Sequence, residues 1–239
     1  MIIISSSLPK SGSTFICNLE IELLKISDIE QGRDIAQQKL KTHFGGRYFD
    51  RIGLITLLRL LHLHKKHGSF VIKTHSGPDW ALRFLINKNF AKATYSYRDP
   101  RDIVLSTIDH GNKSRNGIWK PHPYFEKFTD VESALPKVKR ILKNYHRWKK
   151  YGKVHFIRYE DFMQDKQREI KRLVNYLDLG IEEDKVTRLI ARREKNESAS
   201  YNFNKGTIFR YKNEMNALDL KRCENVFQEF LKECKYDQE

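Results

Sequence analysis

The stretch I-I-I-S-S-S-L-P-K-S-G-S-T-F, residues 2–15, decides the fold. Its apolar start, followed by small serines, predicts a short buried strand over residues 2–6. Small and polar residues form a loop over residues 7–12, and apolar residues at helical spacing predict a helix over residues 14–26. This order of strand, tight loop and helix is how α/β folds present backbone N–H groups to a phosphate. The stretch therefore predicts a P-loop-like strand–loop–helix at the N-terminus.

Further strands and helices alternate along the rest of the chain. Apolar runs predict strands over residues 70–72, 91–97 and 154–158. Later helices are predicted over residues 50–67, 100–110, 131–150, 166–177, 182–193 and 218–234, and irregular segments over residues 111–128 and 198–216. The alternation indicates one α/β domain over residues 1–239. We expect a three-layer architecture, with a mostly parallel sheet flanked by helices.

Basic and aromatic side chains come after the predicted strands. Lys10 lies in the loop after the first strand. His75, Arg98 and Tyr159 come at the ends of the later strands. Because ligands of parallel sheets bind at the carboxyl ends of the strands, we expect these side chains to line one site. The net charge of +15 favours an anionic partner, such as a nucleotide, a nucleic acid, an acidic glycan or a membrane surface.

The loop differs from the ATP-binding P-loop. That motif requires a glycine, four residues and then Gly-Lys-Ser/Thr. Ser7 stands in place of the first glycine and Ser13 in place of the lysine. The lysine of this loop, Lys10, instead precedes Gly12 by two residues. The sequence shows no isolated aspartate suited to Mg²⁺ at the predicted strand ends, so we expect Lys, Arg and His side chains to neutralise a nucleotide without a metal.

Four motifs, in family order, resemble the PAPS-dependent sulfotransferases, whose sulfuryl donor is 3′-phosphoadenylyl sulfate (PAPS). P-K-S-G-S-T-F at residues 9–15 resembles their 5′-phosphosulfate loop, and I-K-T-H at residues 72–75 resembles the segment with their catalytic histidine. Y-R-D-P-R-D-I-V-L-S at residues 97–106 resembles their 3′-phosphate motif, and R-Y-E-D-F at residues 158–162 matches another landmark. The likeness extends thinly to residues 234–236. The resemblance implies an enzyme that moves a sulfuryl group from PAPS to a hydroxyl or amine and releases PAP.

The resemblance implies three catalytic residues. His75 is expected to be the general base that takes the acceptor's proton, because imidazole titrates near working pH. Lys10 is expected to contact the bridging oxygen and stabilise the leaving group, and Lys73 to add positive charge near the sulfuryl group. Transfer is an in-line displacement that builds charge on the leaving phosphate, where cations stabilise it most if water is excluded.

The resemblance also implies a donor-binding set. The loop would hold the 5′-phosphate, Arg98 and Ser106 would bind the 3′-phosphate, and Tyr159 would lie near the adenine. Many relatives have a tryptophan that stacks on adenine; Phe15 takes that place, and we expect it to stack there or to join the core. Arg101 matches no ligand position and is expected outside the site. The set comprises Lys10, Ser11, Gly12, Ser13, Thr14, Phe15, Arg98, Ser106, Tyr159, Lys205 and Gly206.

The late loop departs from the family pattern. Residues 204–212, N-K-G-T-I-F-R-Y-K, stand where the family has R-K-G-x-x-G-x-W-K. Lys205 and Gly206 match, whereas Asn204 replaces the arginine, and the second glycine and the tryptophan are also replaced. Arg210 is our candidate for the missing cation. The dimer motif of vertebrate members, K-x-x-x-T-V-x-x-x-E, is absent, so that dimer is not carried over to this chain.

No motif identifies the acceptor. The segment 111–128 contains Trp119, His122, Tyr124 and Phe125, and aromatic rings stack on sugars as readily as on phenols. The loop before Asp50, with His43, Phe44 and Tyr48, is a second candidate to line the acceptor pocket. We expect a small-molecule, lipid or saccharide acceptor.

Two alternatives stay open at this point. One is a basic nucleic-acid-binding protein, for which the lysine-rich residues 137–150 come closest. That helix also has an apolar stripe predicted to face the core, formed by Val138, Ile141, Leu142, Tyr145 and Trp148. We therefore expect no specific nucleic acid. The other alternative is a nucleotide-binding protein of the same fold without activity, against which the presence of His75 and Lys10 argues.

The cellular compartment is predicted from what the sequence lacks. Residues 2–4 are apolar, but no basic region precedes them as in a signal peptide, and no later run is long enough to span a bilayer. The cysteines Cys17, Cys223 and Cys234 have no C-x-x-C spacing and are expected to be reduced thiols without zinc. We expect a cytoplasmic protein.

Overall fold

The computed structural model describes residues 1–27, 48–196 and 206–238. Its strands are β1 (Ile2–Ser7), β2 (Tyr48–Phe49), β3 (Phe70–Thr74), β4 (Ala91–Tyr97) and β5 (His155–Arg158). Its helices are α1 (Ser13–Ile26), α2 (Leu54–His67), α3 (Trp80–Asn87), α4 (Pro100–Arg115), α5 (Pro123–Glu126), α6 (Val131–Tyr151), α7 (Tyr159–Gln164), α8 (Lys166–Leu177), α9 (Glu183–Asn196), α10 (Tyr211–Glu214) and α11 (Ala217–Glu233). A 3-10 turn follows at Tyr236–Gln238.

β1 is the central strand of a five-stranded sheet with the order β2-β3-β1-β4-β5. Every pairing among the described strands is parallel, and Ile4 lies opposite Ile72 of β3 on one side and Ala93 of β4 on the other. All positions of β1 are buried, so both faces of the sheet are covered. The predicted α/β class, with a parallel sheet flanked by helices, is confirmed. The strand order reverses at β1, and the carboxyl end of such a switch point is where ligands of open parallel sheets bind.

An apolar core holds α1 and α8 against the sheet. Leu19 and Leu23 of α1 and Leu173 of α8 are fully buried, and they belong to one cluster with Val71 of β3 and Ile157 of β5. Burial of each such side chain stabilises the fold by about 1.5–3 kcal/mol. The apolar spacing of α1 therefore fixes this helix on the sheet.

The contacts divide the chain into two compact units. The sheet unit comprises the described residues among 1–8, 12–97 and 144–203, and contains every described strand. The helical unit comprises the described residues among 9–11, 98–143 and 204–239. The single domain over residues 1–239 stays a prediction.

Several predicted boundaries are wrong. The helix predicted over residues 50–67 begins at Leu54, because residues 48–49 pair with β3 as an edge strand. The helix predicted to end near residue 110 continues to Arg115, and the short α5 occupies part of the segment predicted to be irregular. The helices α3 and α7 were not predicted, and the short α10 lies within the predicted late loop.

The apolar stripe of α6 is buried as predicted. Its members Val138, Ile141, Leu142, Tyr145 and Trp148 are each no more than 8% exposed. The lysines of this helix therefore project from its other faces. None of the described helices is both long enough and apolar enough to cross a membrane. The three cysteines are buried and are not joined in disulfides.

Candidate functional site

The loop after β1 places a left-handed glycine against an aromatic ring in the sheet unit. Gly12 has a φ of +74°, a backbone conformation that disfavours side chains. A Cβ at this position would lie 2.9 Å from the ring of Tyr159, the first residue of α7. Two residues assigned to donor binding, Gly12 and Tyr159, are thus in direct contact.

The N-terminus of α1 follows this glycine and is suited to an anion. Its N-cap residue is Gly12, which has no side chain to cap the helix, and its first turn carries no acidic residue. Its first N–H groups and the positive end of the helix dipole therefore favour a phosphate at this point.

Lys73, at the end of β3, reaches the first turn of α1. Its Nζ donates a hydrogen bond to Thr14 Oγ1 over 3.0 Å. Burial lowers the pKa of Lys73, and Cys17 and Glu20 raise it in part. The structure therefore brings the predicted catalytic Lys73 together with the predicted phosphate ligand Thr14.

A buried carboxyl group that the sequence analysis did not identify lies beside this lysine. Glu20 of α1 is fully buried, and its Oε1 accepts a hydrogen bond from Thr94 Oγ1 of β4 over 2.5 Å. Burial raises the pKa of Glu20 to about 7, although Ser5, Thr94 and Lys73 oppose the shift.

His75 follows β3 directly, and its ring is oriented by the end of β1. Nδ1 lies 3.1 Å from the carbonyl oxygen of Ser7 and 2.9 Å from Ser7 Oγ. A carbonyl oxygen only accepts hydrogen bonds, so this contact favours the tautomer with the proton on Nδ1, to which the Ser7 hydroxyl oxygen can also act as acceptor; in that tautomer the basic lone pair is on Nε2.

The C-terminal half of α6 fixes the backbone around His75. Asn144 Nδ2 donates to the carbonyl oxygen of His75 over 2.8 Å, and Trp148 Nε1 donates to the carbonyl oxygen of Ser76 over 2.9 Å. The ring of Tyr48 lies beside that of His75, with 5.3 Å between centroids. These contacts hold the histidine in one orientation.

Phe15, the residue in the family's tryptophan position, packs inside the sheet unit. Its ring meets that of Phe162 edge to face, with 5.4 Å between centroids, and it borders the apolar core. Phe15 is thus partly buried at the border of the core, and its stacking on adenine stays a prediction. Ser13 is the first residue of α1.

Lys10 belongs to the helical unit and is half-buried. Its Nζ lies 2.8 Å from Nδ1 of His110 on α4, and 5.7 Å and 5.5 Å from the ring centroids of Trp119 and Phe125. Burial lowers the pKa of Lys10 to about 8; Asp109 raises it, and Lys113 and Arg98 lower it further. The neighbouring Ser11 is fully buried.

Arg98 follows β4 directly and is held by α4 and the late loop. Its Nη2 donates to Asp102 Oδ2 over 2.6 Å and to the carbonyl oxygen of Thr207 over 2.6 Å. Asp102 Oδ1 also accepts the backbone N–H of Tyr211 over 3.1 Å. Ser106, the second predicted 3′-phosphate ligand, is buried further along α4. The late loop therefore contacts the arginine assigned to the 3′-phosphate.

The other arginines of this region have carboxylate partners. Arg101 binds Asp99, with 2.7 Å between Nη2 and Oδ2, and it donates a hydrogen bond to the carbonyl oxygen of Tyr236 over 2.8 Å. These two contacts give Arg101 a structural role. Arg210 Nη2 lies 2.8 Å from Asp109 Oδ2 and 2.7 Å from Glu214 Oε2. Arg210 thus already has two partners, and its role as the missing cation stays a prediction.

The last two residues of the predicted donor-binding set belong to the late loop. Gly206 has a left-handed φ of +65°. Lys205 lies outside the described residues.

Two functional candidates in the helical unit were missed in the sequence. Asp102, Ser106 and His110 lie four residues apart on α4, a spacing that places them along one side of the helix. Counting four residues in each direction from Ser106, the serine of the 3′-phosphate motif, could have identified Asp102 and His110 in the sequence. The contact of His110 with Lys10, a hundred residues away, has no signal in a single sequence.

Comparisons with known proteins identify the family of this chain. The family described as "Sulfotransferase domain" matches residues 2–235. Sulfotransferase 1B1 of Mus musculus is 24% identical over 197 residues, which cover 79% of this chain and 62% of that protein. Sulfotransferase 1E1 of Rattus norvegicus is 26% identical over 175 residues, covering 71% of this chain and 56% of that protein. The chain thus spans less than two thirds of these relatives.

Two solved structures share the fold. Mouse sulfotransferase SULT7A1 complexed with PAP has a TM-score of 0.65 at 18% identity, covering 96% of this chain and 84% of that one. Retinol dehydratase in complex with androsterone and the inactive cofactor PAP has a TM-score of 0.55 at 18% identity, covering 97% of this chain and 80% of that one. The family match extends over nearly the whole sequence, and the chain therefore belongs to the sulfotransferase domain family.

Proposed function

We propose that this protein transfers a sulfuryl group from PAPS to a hydroxyl or amine of an acceptor molecule. The observation that carries the proposal is the hydrogen bond between His75 Nδ1 and the carbonyl oxygen of Ser7. It favours the tautomer whose Nε2 is basic, in the residue that the resemblance to the family's histidine segment implies as the catalytic base. Family membership and the fold shared with structures that contain PAP support the choice of donor.

The donor would be bound by the residues that the motifs assign. Residues 11–14 would hold the 5′-phosphate through backbone N–H groups and hydroxyls, at the start of α1, whose N-cap residue is Gly12. Arg98 and Ser106 would bind the 3′-phosphate, for which a guanidinium offers a fork of donors. Tyr159 would lie near the adenine, and Lys205 and Gly206 would close over the donor. The donor-binding set needs no metal.

The transfer would be a single in-line displacement. His75 Nε2 takes the proton from the acceptor hydroxyl or amine as the acceptor atom forms its bond to sulfur. The bond from sulfur to the bridging oxygen breaks, and PAP leaves with the electron pair. Lys10 and Lys73 offset the charge that develops on the leaving phosphate and the sulfuryl oxygens, and the burial of both ammonium groups strengthens that interaction. His75 then returns its proton to solvent.

The acceptor would be a small molecule, a lipid or a saccharide. Retinol dehydratase has been solved with androsterone and with retinol, which are small molecules. In this chain, Trp119, Tyr124 and Phe125 offer aromatic surfaces beside Lys10 and its neighbours, suited to rings or sugars. The cytoplasm is the proposed location.

Transfer of radioactive sulfate from [³⁵S]PAPS to a panel of phenols, steroids, retinoids and oligosaccharides tests the proposal. The wild type should label at least one acceptor in EDTA, and His75→Asn should lower kcat by about 10²–10⁴-fold. His62→Asn, an exposed substitution on α2, is the matched control and should keep full activity. Equal rates for His75→Asn and the wild type would reject His75 as the base.

A further inference from the structure

The ammonium group of Lys10 meets a side chain that no family motif assigns. Lys10 Nζ lies 2.8 Å from Nδ1 of His110, which is hydrogen-bond distance. We propose that His110 is a positioning residue that accepts a hydrogen bond from Lys10, and thereby holds its ammonium group in one place and in its charged form. The proposal rests on the proposed function, in which Lys10 neutralises the leaving phosphate.

Neighbouring rings hold the imidazole of His110 in a fixed orientation. It stacks on the ring of Phe125, with 4.0 Å between centroids and 13° between planes. The ring of Trp119 meets it edge on at 4.8 Å, and that of His122 at 5.7 Å. These rings enclose the imidazole, so its Nδ1 presents a fixed lone pair to Lys10.

The charges around the pair make His110 an acceptor at physiological pH. Burial lowers the pKa of His110 to about 4, and the positive charges of Lys10, His122 and Lys113 add to the shift. The ring is therefore neutral near pH 7, and it accepts through Nδ1 while Nε2 carries its proton. Protonation would place a second positive charge against the ammonium group, which burial and Lys10 itself oppose.

The same surroundings make the protonation state of Lys10 sensitive to its hydrogen bond with His110. Burial lowers the pKa of Lys10 to about 8; Asp109 raises it, and Lys113 and Arg98 lower it further. A substantial fraction of Lys10 would already be neutral slightly above physiological pH. A hydrogen bond to a charged donor is worth about one to two pKa units, so loss of the acceptor should make Lys10 largely neutral at pH 8.

The first measurement is the pH titration of the Lys10 Nζ resonance in ¹⁵N-lysine-labelled protein, assigned by its loss in Lys10→Arg. His110→Leu should lower the pKa of Lys10 by about one to two units. His110→Asn should restore most of the shift, because its Oδ1 is an acceptor at the same position along the side chain as Nδ1. His62→Leu on α2 is the matched control and should leave the titration unchanged.

The second measurement compares sulfate transfer from [³⁵S]PAPS at pH 6 and pH 8. His110→Leu should lower kcat about tenfold more at pH 8 than at pH 6, because Lys10 loses its charge between these values in the variant. A purely structural role of His110 would lower activity equally at both. His110→Asn should show a pH profile close to that of the wild type.

The two measurements separate the possible failures. An unchanged Lys10 titration in His110→Leu would overturn the inference, and so would a loss of activity that does not vary with pH. A titration that shifts as expected, in a wild type that transfers no sulfate to any acceptor, would support the contact and reject the proposed function. Melting of each variant, followed by circular dichroism, confirms that the proteins compared are folded.

Discussion

At the scale of single residues, the sheet unit contains a lysine and a glutamate, Lys73 and Glu20, whose burial disfavours their charged forms. Glu20 is fully buried and interacts electrostatically with the half-buried Lys73, and burial shifts their pKa values in opposite directions. Burial of an ionisable group disfavours its charged form, so each group is stabilised in part by the other. Thr14 and Thr94 complete this arrangement by hydrogen bonds to the two groups.

Replacement of Glu20 by glutamine should make stability less dependent on pH. The pKa of Glu20 is raised to about 7 in the folded protein, from an ordinary value of 4.5. The wild type is therefore most stabilised by this group below about pH 4.5, and its free energy of unfolding falls as the pH rises towards 7. Between pH 5 and pH 8, Glu20→Gln should gain about 2–3 kcal/mol relative to the wild type.

Urea unfolding at both pH values measures this gain. Glu229→Gln, an exposed substitution on α11, is the control and should follow the wild type. Parallel curves for Glu20→Gln and the wild type would show that the carboxyl group is ionised in the fold already at pH 5.

At the scale of elements, the ends of the strands and the turns that follow them could be predicted from the sequence. His75, Arg98 and Tyr159 directly follow β3, β4 and β5, as their positions after apolar runs indicated. The helix α3 could have been found, because the Asp79 side chain accepts the N–H of Leu82 as an N-cap, and this cap precedes an apolar run.

Other elements gave no comparable local signal. The two residues of β2 are a strand because they pair with Lys73 and Thr74, and so short a run has no periodicity. The helix α7 begins directly after β5, where no linker marks the change. The partners of Lys10 and Glu20 depend on contacts between distant segments, which a single sequence does not reveal.

The turn between β1 and α1 should not tolerate a side chain at Gly12. Gly12→Ala forces alanine into a left-handed conformation, which costs about 1–2 kcal/mol, and pushes its Cβ into the Tyr159 ring at 2.9 Å. Because both residues belong to the proposed donor site, PAP affinity measured by calorimetry should fall at least about tenfold, which corresponds to about 1.4 kcal/mol.

Substitution of a second glycine with a left-handed φ separates the effect of backbone strain from that of the collision with Tyr159. Gly152 has a φ of +80°, and a Cβ there would have no described atom within 4 Å. Gly152→Ala should lower stability but leave PAP affinity unchanged. If Gly12→Ala bound PAP as tightly as Gly152→Ala does, the loop would not hold the 5′-phosphate.

At the scale of the whole molecule, charge and family both point to an anionic ligand. The net charge of +15 raises the local concentration of anions, but it does not select among them. Selectivity would come from the 3′-phosphate, which distinguishes PAP from ordinary adenine nucleotides. In this chain that group is assigned to Arg98, which Asp102 and the carbonyl oxygen of Thr207 already orient.

The most direct test of the donor site is thermal melting in EDTA with PAP, and with AMP, which lacks only the 3′-phosphate. PAP at about a hundred times its Kd should add about 2.7 kcal/mol, which raises Tm by about 5–10 °C for a chain of this size. We predict this rise with PAP, little change with AMP, and loss of the difference in Arg98→Met. Equal shifts with PAP and AMP, or no shift with either, would contradict a PAPS-dependent sulfotransferase.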